Sequence, residues 1–186
     1  MTSQPLPAPA DIVAFWREAG PAKWYVKDDA FDTAIRARFA AAHETAARGL
    51  LWGWEDSPEG VLALLLLLDQ FPRNLFRGSA HAFATDDAAL AVAERAIARG
   101  HDTAIDGPLR QFFHLPHMHA ENLDAQRRCV AAFERLGPGF EENLAYARAH
   151  LDIIERFGRF PHRNAVLGRS TTAEEQAFLD AGGFAG

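Results

Sequence analysis

One cysteine, two lysines and no long apolar run are what this 186-residue chain has least of. With Cys129 alone no internal disulfide can close and a cysteine-based zinc site is excluded, which fits a reducing compartment. The longest apolar run, residues 61–68, falls well short of the roughly 20 residues that a membrane-spanning helix needs. A basic surplus is missing too: the net charge is −6, whereas a nucleic-acid backbone calls for a basic face. Neither nucleic acid nor membrane is therefore expected as a partner. Residues 1–9 carry three prolines and no basic residue ahead of an apolar stretch, so they read as a loose tail and not as a signal peptide. The expected location is the cytoplasm.

Hydrophobic residues make up 48% and charged residues 24%, both ordinary for a globular chain, which argues against disorder and fibrous structure. No shift in composition divides the sequence, so residues 10–186 read as a single helical domain. Arginine supplies nearly all of the basic residues, and alanine is abundant, as in a GC-rich genome. Arginine position is therefore more informative than arginine number.

The apolar spacing is helical throughout. Residues 11–19 place Ile12, Val13, Phe15 and Trp16 on one side before Gly20-Pro21 stops them, and Trp16 is expected to pack on Trp24. Phe31, Ile35, Phe39 and Ala42 follow at three- and four-residue steps, ahead of Gly49. Ser57-Pro58-Glu59 offers a cap, a proline at the first helical position and a first-turn acid. The body that follows is apolar on every side and is expected to be central and buried, ending at Phe71-Pro72. Thr85 opens a further helix towards Gly100, and Asp106-Gly107-Pro108 opens a short one that Pro116 interrupts. Residues 121–136, residues 140–157 and a segment begun by the capping box Thr172 to Glu175 complete about eight helices. The fold class is all-α, and periodicity leaves a closed bundle and a solenoid of helix pairs both open.

Two stretches match. The first reads Asp69-Gln70-Phe71-Pro72-Arg73-Asn74 with Arg77 beyond it; the second reads Arg159-Phe160-Pro161-His162-Arg163-Asn164 with Arg169 beyond it. Helix-stop chemistry explains Phe, Pro and Asn, but it leaves the arginines unexplained. Asp69 in a last helical turn faces the negative end of the helix dipole and wants a cation, for which Arg73 is nearest. Guanidinium groups present rigid forks suited to carboxylate or phosphate, so Asp69, Arg73, Asn74, Arg77, Arg159, His162, Arg163, Asn164 and Arg169 are the candidate ligand-binding residues. The competing reading pairs these arginines with Asp69, Asp152 or helix C-terminal carbonyls.

His114, His117, His119 and Glu121 form a third cluster. Pro116 breaks its helical register and no HExxH pattern is present, so no metal and no cofactor are expected. One or two of these histidines should be exposed, and His119 should pair with Glu121 or a neighbour. His150 shares a helical face with Ile153, Ile154 and Phe157, which makes it partly buried. His119, Glu121, His150 and His162 are the candidates for proton transfer. Nucleophile elbow, phosphate-cradling glycine loop and dinucleotide fingerprint are all absent.

Phe15-Trp16, Gly20-Pro21-Ala22-Lys23-Trp24-Tyr25, Leu68-Asp69-Gln70-Phe71-Pro72-Arg73-Asn74, Leu115-Pro116 with His119 and Glu121, and Phe157-Gly158-Arg159-Phe160-Pro161-His162-Arg163-Asn164 with Leu167-Gly168-Arg169 together resemble the bacterial domain-of-unknown-function family 924. The resemblance spans nearly the whole chain. It implies stacked helical hairpins of tetratricopeptide-like form and implies no activity. His117 departs from the family pattern, where an apolar or aromatic residue is expected. The residues favour binding of an anionic small molecule or peptide in a groove lined by Arg73 and Arg163. A small-substrate enzyme with an arginine clamp, or purely structural motifs, are the alternatives, and the sequence leaves the oligomeric state open.

Overall fold

A computed structural model describes residues 5–184, so residues 1–4 of the expected tail lie outside the described part. Ten α-helices and several 3-10 turns follow one another, and the described residues contain no strand. The helices are α1 Pro9–Ala19, α2 Pro21–Trp24, α3 Asp29–Ala47, α4 Pro58–Leu65, α5 Phe71–Leu75, α6 Asp86–Ala98, α7 Leu115–His119, α8 Leu123–Leu136, α9 Glu141–Phe157 and α10 Ala173–Asp180. They fall into two compact units, one of Met1–Arg77 with His81–Pro116 and the other of Gly78–Ala80 with His117–Gly186.

In the first unit, α1 begins two residues earlier than the apolar spacing predicts. Pro9 takes the first helical position, where its missing N–H costs nothing, and the Asp11 carboxylate accepts the Ala8 N–H at 2.9 Å. Trp16 stacks on Trp24 at 6.1 Å, and the Trp24 indole N–H donates to the Trp16 carbonyl at 2.7 Å. Ser57 caps α4 by accepting the Gly60 N–H at 3.1 Å. Every residue from Gly60 to Gln70 is buried, as a helix with no polar side must be. Each large aliphatic side chain in that run contributes about 1.5–3 kcal/mol by burial.

The helix was expected to stop at Phe71-Pro72, but it runs on through α5, so the first of the two matching stretches is helix and not loop. Proline at 72 has no N–H, so the Leu68 carbonyl loses its helical donor, and the Leu67 carbonyl loses that of Phe71, which turns to Leu66. The backbone widens into a π-turn over Leu66–Gln70, with the Phe71 N–H donating to the Leu66 carbonyl. Two side chains supply the missing donors. The Thr85 hydroxyl donates to the Leu68 carbonyl at 2.6 Å, and the His43 Nδ1–H donates to the Leu67 carbonyl at 2.8 Å. Thr85 consequently makes no cap bond to α6, contrary to the sequence expectation. Pro116 likewise sits inside α7 instead of ending a helix, because residues Gly107–Phe113 form a 3-10 segment that closes before it.

In the second unit, α8 and α9 form an antiparallel hairpin. Arg127 meets Glu155 at 3.5 Å and Arg148 meets Glu134 at 2.9 Å, so positions early on α8 face positions late on α9. Asn122 caps α8 by accepting the Ala125 N–H, which leaves Glu121 outside the helix. Gly158, at φ 69°, takes the left-handed conformation that closes α9, and its N–H donates to the Ile154 carbonyl. Ile153, Ile154 and Phe160 make the core beneath, with Leu123, Phe157, Phe178 and Phe184 packed against it.

Candidate functional site

The first stretch is a set of satisfied ion pairs. Arg73 donates to both carboxylate oxygens of Asp86, at 3.1 and 3.2 Å, and to the Asp69 carbonyl, and the Asp69 carboxylate lies 3.6 Å from it. Burial disfavours the Arg73 charge, but Asp69 and Asp86 more than offset this and hold its pKa above the usual value. The Gln70 amide donates to the Asp69 carboxylate. Asn74 donates to Asp32 at 2.8 Å, and Arg77 grips the same carboxylate at 2.6 and 3.0 Å. Burial works against ionised Asp32, yet these donors keep its pKa below the usual range.

The second stretch is a loop with a short 3-10 turn at Pro161–Arg163. Arg159 binds Glu175 through two bonds, at 2.6 and 2.8 Å, and donates to the Ser170 carbonyl. Arg169 clamps Glu121 at 2.5 and 2.9 Å, and it also reaches the Phe160 carbonyl and the Asn164 side chain. The Phe160 N–H adds a third bond to Glu121 at 2.7 Å. Burial penalises ionised Glu121, but Arg169 and the Phe160 N–H prevail and lower its pKa. Glu175, bound by Arg159 and by the Thr172 N–H, is lowered to about 2.

Within this frame Phe160, fully buried, is a hub. The Arg163 guanidinium lies 4.7 Å from the centre of its ring, the His150 ring 5.4 Å away and the His162 ring 5.7 Å away. Phe184 closes the group at 4.5 Å from His150 and 5.4 Å from His162. The His150 Nδ1–H donates to the Tyr146 carbonyl at 2.8 Å, which fixes the tautomer and leaves Nε2 as the acceptor. Burial lowers the His150 pKa to about 4, and the charges of His119, Arg163 and His162 add to that shift.

His114 and His117 are buried, at 3% and 4% exposure, and His119 is half-buried, so none of the three is exposed as the sequence predicts. His114 lies 3.7 Å from Asp102. Glu121 is held by Arg169 and not by His119. Among the described residues, no group of three or more His, Cys, Asp or Glu is placed to hold a metal ion.

Residues 12–183 match the family described as bacterial protein of unknown function (DUF924). The chain belongs to that family. A solved structure of a protein of unknown function from Agrobacterium tumefaciens is similar to this DUF924 chain, at 53% identity and a TM-score of 0.88, covering 93% of this chain and 97% of its own. No functionally curated protein matches. For this DUF924 member, chemistry must therefore be read from the site itself.

The carboxylates that hold the motif arginines were missed in the sequence. Asp32, Asp86 and Glu175 each lie in the first turn of a helix, on α3, α6 and α10. A first-turn acid is already explained by the helix dipole, so nothing marks it as an arginine partner. Their number is the available signal: acids open these helices while arginines crowd the motifs.

Proposed function

We infer that the protein binds a small anion, a carboxylate or a phosphate, in its second unit. The observation that carries this is the placing of Arg163 and His162 on the ring of Phe160, beside His150. Guanidinium and imidazole N–H groups are the donors that anion recognition uses, and a rigid frame keeps them from having to be ordered on binding. Arg169 with Glu121 and Arg159 with Glu175 supply that frame on either side of the Phe160 loop. His119 lies close enough for its charge to act on His150. In the first unit Arg73, Asn74 and Arg77 are engaged by Asp86, Asp69 and Asp32. These contacts hold α3, α5 and α6 together, and the ligand role is proposed for Arg163 and His162.

The antiparallel α8–α9 hairpin supports a tetratricopeptide-like arrangement, and a single buried cysteine outside any disulfide suits the cytoplasm. Proton-transfer chemistry has less support. His150, near 4, and Glu121, held ionised by Arg169, both lie far from the neutral poise of a general acid or base.

A thermal-shift screen with inorganic phosphate, nucleotides, carboxylic acids and divalent metals tests the proposal. A ligand at a hundredfold excess over its Kd adds about 2.7 kcal/mol of stability, which such a screen registers. Wild type and Arg73→Ala should both respond to one anion class, and Arg163→Ala should not. No response from wild type, or an equal response from Arg163→Ala, contradicts the proposal.

A further inference from the structure

A shallow cleft of about 390 Å³ in the first unit, between α1 and α3, is lined by Phe15, Glu18, Lys23, Phe31, Ala34 and Arg38 among others. None of these residues belongs to the Arg163 group. The floor of the cleft is aromatic: Phe15 and Phe31 stack at 5.3 Å with their planes 6° apart, and the Lys23 ammonium lies 5.7 Å from the centre of the Phe31 ring. Phe31, Ala34 and Arg38 recur at helical spacing along one side of α3, which is why they share a face.

Two charges on the rim have nothing to answer them. Arg38 rests its guanidinium 4.6 Å from the centre of the Phe15 ring and 4.9 Å from that of Phe39. Its helical neighbours at three and four residues, Ala34, Ile35, Ala41 and Ala42, include no acid. Among the described residues its side chain has no ion pair and no hydrogen bond, although Arg73, Arg77, Arg95, Arg159 and Arg169 each hold a carboxylate. Glu18 stands in the last turn of α1, where the helix dipole disfavours an acid, and its side chain also lacks a partner among the described residues. Lys23, by contrast, lies 3.8 Å from Asp28.

A lone carboxylate and a lone guanidinium on the rim of one apolar cleft, unpaired with each other, complement a ligand that carries both charges. We propose that this cleft binds a free α-amino acid with an apolar side chain. The Arg38 fork takes its carboxylate, Glu18 takes its ammonium, and the side chain lies on the Phe15–Phe31 floor. A guanidinium that uses its face for a cation–π contact keeps its in-plane donors for a carboxylate. The cleft volume sits at the small end of the range for ligand sites, which suits a molecule of this size.

The test is calorimetric titration of the wild-type chain with L-leucine, N-acetyl-L-leucine and L-leucinamide. Leucine should bind saturably, and each blocked analogue should bind at least about tenfold more weakly, having lost one charge-assisted contact. Arg38→Gln should weaken leucine and leave the amide unchanged, and Glu18→Gln should weaken leucine and leave the acetyl derivative unchanged. Arg163→Gln should bind leucine as wild type does, which separates this cleft from the Phe160 group. Absence of saturable leucine binding, or analogues that bind as well as leucine, overturns the proposal on wild type alone. Variants that bind leucine unchanged overturn the assignment of the two charges.

Discussion

The Thr85 hydroxyl lies 2.6 Å from the Leu68 carbonyl, the acceptor that Pro72, four residues on, leaves without its helical donor. Thr85 is 8% exposed, so water does not readily replace it. Thr85→Val keeps the shape and removes the donor, leaving a buried carbonyl short of a partner. It should cost about 1–3 kcal/mol, read as a fall in the urea midpoint at unchanged slope.

Gly60 stands where α4 passes the preceding 3-10 turn at Trp52–Asp56. A methyl group there would clash with the Trp54 carbonyl oxygen and meet the Ser57 hydroxyl at 2.9 Å. Alanine gains roughly 1 kcal/mol of helix propensity over glycine, whereas overpacking against backbone costs about 1–3 kcal/mol. Gly60→Ala should therefore destabilise on balance, and a raised thermal midpoint would refute the contact.

Arg169 joins three parts of the second unit: Glu121, the Phe160 carbonyl and Asn164. Arg169→Met removes all three contacts and leaves Glu121 with the Phe160 N–H. The expected loss is about 1.5–3 kcal/mol, the range for hydrogen bonds to charged groups. Urea unfolding of Arg169→Met beside Glu121→Gln and the double variant should show coupling between the two sites.

Acid should weaken the fold in two stages. His150 has a folded pKa of about 4 against an ordinary 6.5, so below 6.5 the unfolded chain takes up its proton first. Stability from this group is complete above pH 6.5 and is lost as the pH falls through 4. Glu175 repeats the pattern lower down, from its ordinary 4.5 to about 2, with Asp32, Glu55 and Glu121 shifted in the same direction. Denaturant midpoints measured from pH 7 to pH 3 should fall throughout, and His150→Phe should flatten the upper stage alone.

Local signals in the sequence located most helix ends. Ser57 before Pro58 and the Thr172–Glu175 capping box act within three or four residues of where they stand. The continuation through Pro72 was hidden because its rescue comes from afar: Thr85 is 17 residues from Leu68, and His43 is 24 from Leu67. The arginine motifs were visible, but their partners were not, since Asp32, Asp86 and Glu175 look like ordinary helix-opening acids. Two stretches with nearly the same letters also fold differently. A π-turn carries the first through its proline, while Gly158 has already ended the helix before the second.

The central claim is that Arg163 and His162 hold an anion beside His150. The direct measurement is the His150 imidazole pKa, followed by nuclear magnetic resonance with and without inorganic phosphate or acetate, in wild type and in Arg163→Gln. An anion seated in the group stabilises protonated His150, so its pKa should rise from about 4 in wild type, saturably with one of the two probes. In Arg163→Gln that response should disappear while the fold is retained. A His150 pKa that moves with neither probe, or moves equally in the variant, contradicts the account.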